Sequence, residues 1–226
     1  MLLDLFKYGF SLETLIGVLA SIFVIFCTLP IHEFAHAYVA TKLGDPTPRL
    51  SGRLTLNPLA HIDPIGALML LLFGFGFAKP VNVNFRNFKN RKRGMALTAA
   101  AGPAANLIMA FLFLILMIIF TILYSRIGSI VLEVSFWFFK YAATINIYLA
   151  VFNLLPVPPL DGSRIFNIIL PDRLYYKLMQ YERYIVWAVF ALLIFGWLDI
   201  PLTFISSKLY DLLFKIAYLP FKAFLG

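Results

Sequence analysis

Charge is scarce in this chain of 226 residues: only 13% are Asp, Glu, Lys or Arg. An ordinary soluble domain carries about a quarter. With 62% hydrophobic residues and a mean hydropathy of +0.87, that deficit excludes a solvated globular surface. Cysteine is scarcer still. Cys27 stands alone, so no internal disulfide can form, and its place in an apolar run reads as a packed thiol. Acidic residues number 11 against 19 basic ones, a net charge of +8. The basic residues sit in short loops between apolar runs, the pattern that membrane topology requires. No nucleic acid partner is expected. Internal repeats and low-complexity segments are also lacking.

What is present is long apolar sequence. Backbone groups inside lipid must be satisfied internally, and these runs are too long for barrel strands. The expectation is an all-α polytopic membrane protein in a lipid bilayer, with residues 1–226 forming one domain. Residues 15–29 have the look of a signal-peptide core. However, Asp4 and Glu13 dilute the basic flank and no A-x-A site follows, so a retained helix is expected.

About four spanning helices are predicted. The first covers residues 12–43, roughly 48 Å at 1.5 Å per residue, with Pro30 interrupting it. Gly44, Asp45, Pro46 and Pro48 end it. Residues 46–63 are polar and turn-rich, and the partial alternation in RLSGRLTLNP predicts a short β-hairpin at 49–56. Residues 64–78 are apolar, but they are short and carry Pro64, Gly66, Gly74 and Gly76, which suits a re-entrant segment. A basic loop follows, with Lys79, Arg86, Lys89, Arg91, Lys92 and Arg93. Further spanning helices are expected at 97–124, 133–155 and 184–198. In the tail at 203–225, Lys208, Lys215 and Lys222 recur every seven residues among apolar ones, as in an amphipathic helix lying in the interface.

The chemistry is carried by His32-Glu33-Phe34-Ala35-His36. Residues four apart on a helix share a face, so both imidazoles can reach one zinc ion with Glu33 beside the water it activates. Ionisable groups at membrane depth are functional by default. Zinc then needs a third protein ligand and an open position. Asp161 in LLPVPPLDG is one candidate; His61 and Asp63 in NPLAHIDP are others. Asp161 is favoured because it ends an apolar helix, where the prolines open the backbone. His61 suits a loop-capping role, since Asp63 and Pro64 mark a turn.

HEFAH, AGPAAN and NLLPVPPLDG, in that order and each in an apolar context, resemble the site-2 protease family of intramembrane zinc metalloproteases. The resemblance covers roughly residues 12–170, and LNPLAHIDPIG is similar to compact members without PDZ or CBS domains. It implies His32, His36 and Asp161 as ligands of one Zn2+, Glu33 as catalytic base and Asn153 as a polar residue at the active site. It also implies a prokaryotic cell membrane and cleavage in regulated intramembrane proteolysis. Asn153 has two readings: a donor to the developing oxyanion, or an interhelical hydrogen bond. For Asn106 packing is favoured, beside Gly102, Ala104 and Ala105. Arg164 reads as loop charge, with orientation of Asp161 as the alternative.

Topology gives an independent check. If 64–78 is re-entrant, the loops at 79–93 and 164–183 share the cytoplasmic side, and Asp161 reaches the depth of His32 and His36. If it crosses, the basic loops fall on opposite sides, against the charge rule. The re-entrant reading places the N-terminus outside and the active site toward the cytoplasm. It leaves the tail lysines on the outer side.

A helical substrate hides its carbonyls, so cleavage requires unwinding. Single-pass transmembrane proteins or peptides with Gly, Pro or polar residues near the cut are the expected substrates. The hairpin at 49–56 would hold the unwound strand by edge pairing or serve only as a surface turn. Two other classes compete. A zinc-binding scaffold would not need Glu33. A transporter would be expected to show paired broken helices and repeats.

Overall fold

The computed structural model describes residues 11–73 and 78–222. Three helices are long and apolar enough to cross a membrane: α1 (Leu12–Lys42), α5 (Arg91–Ile127) and α6 (Ile130–Asn153). Between α1 and α5 lie the short helices α2 (Thr47–Leu50), α3 (Pro58–His61) and α4 (Pro64–Phe73). After α6 come α7 (Asp161–Phe166), α8 (Asp172–Gln180), α9 (Glu182–Ile194) and α10 (Asp199–Tyr218).

α1 survives its internal proline through a local change of pitch. Residues Val24–Thr28 form a π-turn, in which the Leu29 N–H reaches back to the Val24 carbonyl. Pro30 can donate no hydrogen bond and its ring crowds the preceding turn, and the wider turn accommodates both. α5 starts where the Asn90 side chain accepts from the Arg93 N–H and stops at Gly128, whose φ of 68 is left-handed. Small residues on α5, including Ala96, Ala99, Gly102 and Ala105, are buried. They let α1 and α6 approach closely, as lipid-embedded helices require. The core joins Val24 and Ile25 of α1, Phe113 and Leu114 of α5, and Ala142 and Leu149 of α6.

The two ends of the segment after α3 meet. The Lys79 N–H bonds the His61 carbonyl at 2.8 Å, so the chain returns at 79 to where it left at 61. α4 covers most of the excursion and packs on α1. Gly74 and Gly76 of the expected re-entrant run lie outside the described residues.

Four expectations are corrected. No strand occurs among the described residues, and the hairpin at 49–56 is replaced by α2 and a turn at Gly52 (φ 69). Side chains occupy the carbonyls there: Arg53 donates to Ala60 O, and His61 Nε2 bonds Thr55 O at 2.8 Å. The alternating leucines are exposed instead, Leu50 at 82% and Leu56 at 57%. The helix expected at 184–198 is the 13-residue α9, bent 81° from the helix that follows, and the two meet the spanning criterion only as a pair. Gly196, at φ 72, makes the bend. The tail is not separate from the bundle: α10 packs against α5 and α6, with Leu202 and Ala217 buried. Its lysines do share the opposite face, Lys208 and Lys215 being exposed. Finally, Cys27 is exposed on α1 rather than packed.

Asp45 ties α1 to the loop before α5. Its carboxylate accepts from the Thr47 N–H and hydroxyl at 3.1 and 2.6 Å, the Asn84 N–H at 2.7 Å and Asn87 Nδ2 at 2.7 Å. Burial pushes this carboxyl up, but the four bonds outweigh it and hold it below the ordinary value. A depressed folded-state pKa stabilises above the unfolded value of about 3.9, and that contribution is lost as pH falls through the folded value. Asp45→Asn is expected to cost about 2 kcal/mol at neutral pH, read by unfolding in detergent. The difference from wild type should shrink as the pH falls below about 4. An unchanged melting curve at neutral pH would remove this latch from the fold.

Candidate metal centre

The HEFAH residues follow the π-turn of α1 and face α5, with His32, Glu33 and His36 all buried. One helical turn apart, the two imidazoles present their Nε2 atoms to each other at 3.1 Å. His36 Nδ1 lies 2.7 Å from the Thr98 carbonyl of α5. A carbonyl only accepts, so Nδ1 carries the hydrogen and Nε2 is left with a lone pair. Such a partner also fixes the ring orientation of a metal-binding histidine.

Asp161 arrives from the far side of the sequence. α6 ends at Asn153, and the segment PVPP, with a cis Pro158–Pro159 bond, turns the chain into α7. Asp161 opens α7, and its Oδ2 lies 3.4 Å from His32 Nε2 and 3.2 Å from His36 Nε2. Three electron-pair donors therefore converge in a buried place. Ligands about 2.0–2.1 Å from a tetrahedral zinc are about 3.3 Å apart. The separations of 3.1, 3.2 and 3.4 Å fit that edge length, so His32, His36 and Asp161 form a group that could hold one metal ion. Three protein donors leave a fourth position open, as catalytic zinc needs.

Two glycines make the approach possible. A Cβ on Gly102 would stand 2.6 Å from His32 Cε1 and nearer still to the His36 ring. A Cβ on Gly162 would collide with the Leu154 and Leu155 carbonyls. Gly102 of AGPAAN is thus the floor of the imidazole pair, and Gly162 lets α7 begin tight against the end of α6.

The group opens into a cavity of about 640 Å³, lined also by Glu33, Asn153, Arg164, Val81 and Val83, and by Phe190 and Leu193 of α9. Asn153 gives one amide hydrogen to its own helix, at Leu149 O, 2.9 Å away, and an amide nitrogen carries two. His61 and Asp63 stand apart from the metal group. His61 is fully buried on Thr55, and Asp63 caps α4 through the Ile65 and Gly66 N–H groups at 3.0 Å. Asn106 is buried on α5 with Nδ2 unpartnered. Arg164 makes no ion pair with Asp161; its guanidinium lies over the Phe85 ring, 5.8 Å from the centroid. The Thr98 carbonyl and the lining face of α9 were not legible as site components, because a backbone acceptor and an apolar helix face carry no motif.

A two-histidine, one-carboxylate group whose histidines are buried on a helix long and apolar enough to span a membrane, with a glutamate in the same cavity, defines the class of membrane metallohydrolases. Comparison with known proteins narrows this. Residues 20–196 match Peptidase family M50, and the chain belongs to that family, the site-2 proteases. It is 42% identical over 154 residues to YwhC of Bacillus subtilis (strain 168), covering 68% of this chain and 70% of that protein. It is 33% identical over 141 residues to Rip2 of Mycolicibacterium smegmatis, covering 60% and 51%. To MJ0611 of Methanocaldococcus jannaschii it is 32% identical over 136 residues, covering 60% and 63%. All three relatives bear the printed name "Putative zinc metalloprotease". No solved structure matches. The chain is accordingly a membrane zinc metalloprotease.

Gly102→Ala is expected to displace the imidazoles and lower zinc content at least tenfold. Alanine is otherwise the better helix former, by about 1 kcal/mol. Metal analysis of the purified variant checks this; full zinc occupancy would show that the rings tolerate the methyl group.

Proposed function

We propose that the protein hydrolyses peptide bonds within or beside transmembrane segments of single-pass membrane-protein substrates, the chemistry of regulated intramembrane proteolysis. His32, His36 and Asp161 hold one Zn2+ and Glu33 is the base. The observation that carries this reading is the three-donor group at zinc-like spacing, with Glu33 in the same cavity and two of the donors on a spanning helix.

Zinc bound there supplies a Lewis acid for the scissile carbonyl and acidifies the attacking water. Glu33 takes the proton of that water and passes it to the leaving amine. Asn153 directs its second amide hydrogen at the oxygen that gains charge. The cavity wall is largely apolar. The stretch from Ala78 to Asn84 supports an unwound substrate: it forms no helix, it contributes Val81 and Val83 to the cavity, and the N–H groups of residues 81–83 bond no backbone among the described residues. An extended peptide can lie beside such an edge.

The return at Lys79 supports a topology in which the basic loops at 79–93 and 164–183 share one side. On that basis the N-terminus is outside and the metal lies toward the cytoplasmic face of a prokaryotic cell membrane.

Glu33→Gln tests the chemistry. Cleavage of a purified transmembrane substrate is expected to fall at least a thousandfold while zinc content stays at the wild-type level. Equal cleavage by both proteins would falsify the role of Glu33. If wild type binds zinc but cleaves no transmembrane segment, the zinc-binding scaffold becomes the better reading.

A further inference from the structure

The cavity wall holds one feature that hydrolysis itself does not use. Arg164 is the only cationic side chain among the described lining residues. It is half-buried in a largely apolar wall and makes no ion pair or hydrogen bond among the described residues. Its guanidinium rests on the Phe85 ring instead, 5.8 Å from the centroid. Phe85 is itself well held, between Asn84 and Asn87, both tied to Asp45 at 2.7 Å. The cation is thus stationed by a ring, with its hydrogen-bond donors uncommitted.

Position gives this group a purpose. Arg164 follows Asp161 by three residues on α7, so the two side chains start about 5–6 Å apart on one helix face. That distance is about two residues along an extended peptide. A guanidinium presents a planar fork that matches a carboxylate. Leaving it partly buried and unpaired is unfavourable, and a partner that brings the opposite charge recovers the loss. The anionic group that a polypeptide brings is a carboxylate.

We propose that Arg164 is a specificity residue that receives a carboxylate of the substrate, an aspartate or glutamate side chain within about two residues of the bond cut. This rests on the protease reading above.

The test uses the purified full-length protein and one transmembrane peptide substrate, with Gln, Glu or Lys placed in turn at each position flanking the cut and the C-terminus amidated. Wild type is expected to favour Glu over Gln at one position by about tenfold in kcat/KM, chiefly through KM. Arg164→Gln should erase that preference, and Arg164→Glu should transfer it to the Lys substrate. Arg164→Lys should retain part of it, because the charge remains and the fork is lost. A further arm ends the Gln peptide near the cut with a free carboxylate; a gain only there would assign the subsite to a chain terminus and overturn the side-chain assignment. Equal cleavage of the Glu and Gln peptides by wild type at every position would overturn the proposal without using any variant. So would a uniform loss across all peptides in Arg164→Gln. Failure of the protease reading looks different, since wild type would then cleave no peptide.

Discussion

Three electron-pair donors meet within 3.4 Å inside a bundle of apolar helices. Two imidazole nitrogens and a carboxylate oxygen at that spacing repel one another unless a cation lies between them. Little water is at hand at membrane depth to relieve the repulsion. Most of the unusual local structure serves this convergence. The π-turn carries α1 past Pro30 so that His32 and His36 keep a common face. The Thr98 carbonyl fixes one ring. Gly102 removes the side chain that would occupy the space of both rings, and Gly162 lets α7 start against the last turn of α6.

The same bundle solves a second problem, bringing a polar reaction into an apolar surrounding. Irregular backbone is costly in lipid unless it is buried in protein or lines a cavity. Here both irregular stretches do the latter. The PVPP segment delivers Asp161, and the run from Ala78 to Val83 contributes to the cavity wall. The Lys79 N–H bonds the His61 carbonyl, so the two ends of the segment that contains α4 are held together. The Asp45 latch holds that wall to the end of α1 with two hydrogen bonds, from the Asn84 N–H and Asn87 Nδ2, and Thr47 supplies two more to the same carboxylate.

Where the sequence misled, the cause was a pattern with two physical origins. Alternating leucines at 50, 54 and 56 resemble a half-buried strand, but the carbonyls around them are taken by Arg53 and His61. Leu50 and Leu56 turn outward there, while Leu54 is half-buried. The heptad spacing of Lys208, Lys215 and Lys222 does describe an amphipathic helix. It does not say what covers the apolar face, and α5 and α6 bury Leu202 and Ala217 of it. The run at 184–198 had the composition of a spanning helix, yet Gly196 admits a left-handed turn that bends it. Proximity in the chain says nothing about such a break, because hydropathy is blind to direction.

By itself the sequence determined the class of the protein and its principal helices, and it named the candidates for the metal group. Hydrophobic run length reports directly on lipid burial, and a four-residue spacing reports directly on a shared helix face. Asp161 was legible because prolines at the end of an apolar helix announce open backbone. Only the tertiary structure decided that Asp161, 125 residues beyond His36 in the chain, lies 3.2 Å from its ring, while the nearer His61 is turned away onto Thr55. It also decided that Arg164 lines the cavity over the Phe85 ring, with no ion pair or hydrogen bond among the described residues. Local spacing fixes which side chains share a face. Which faces meet depends on the packing of helices distant in sequence, and here on two glycines small enough to let them close.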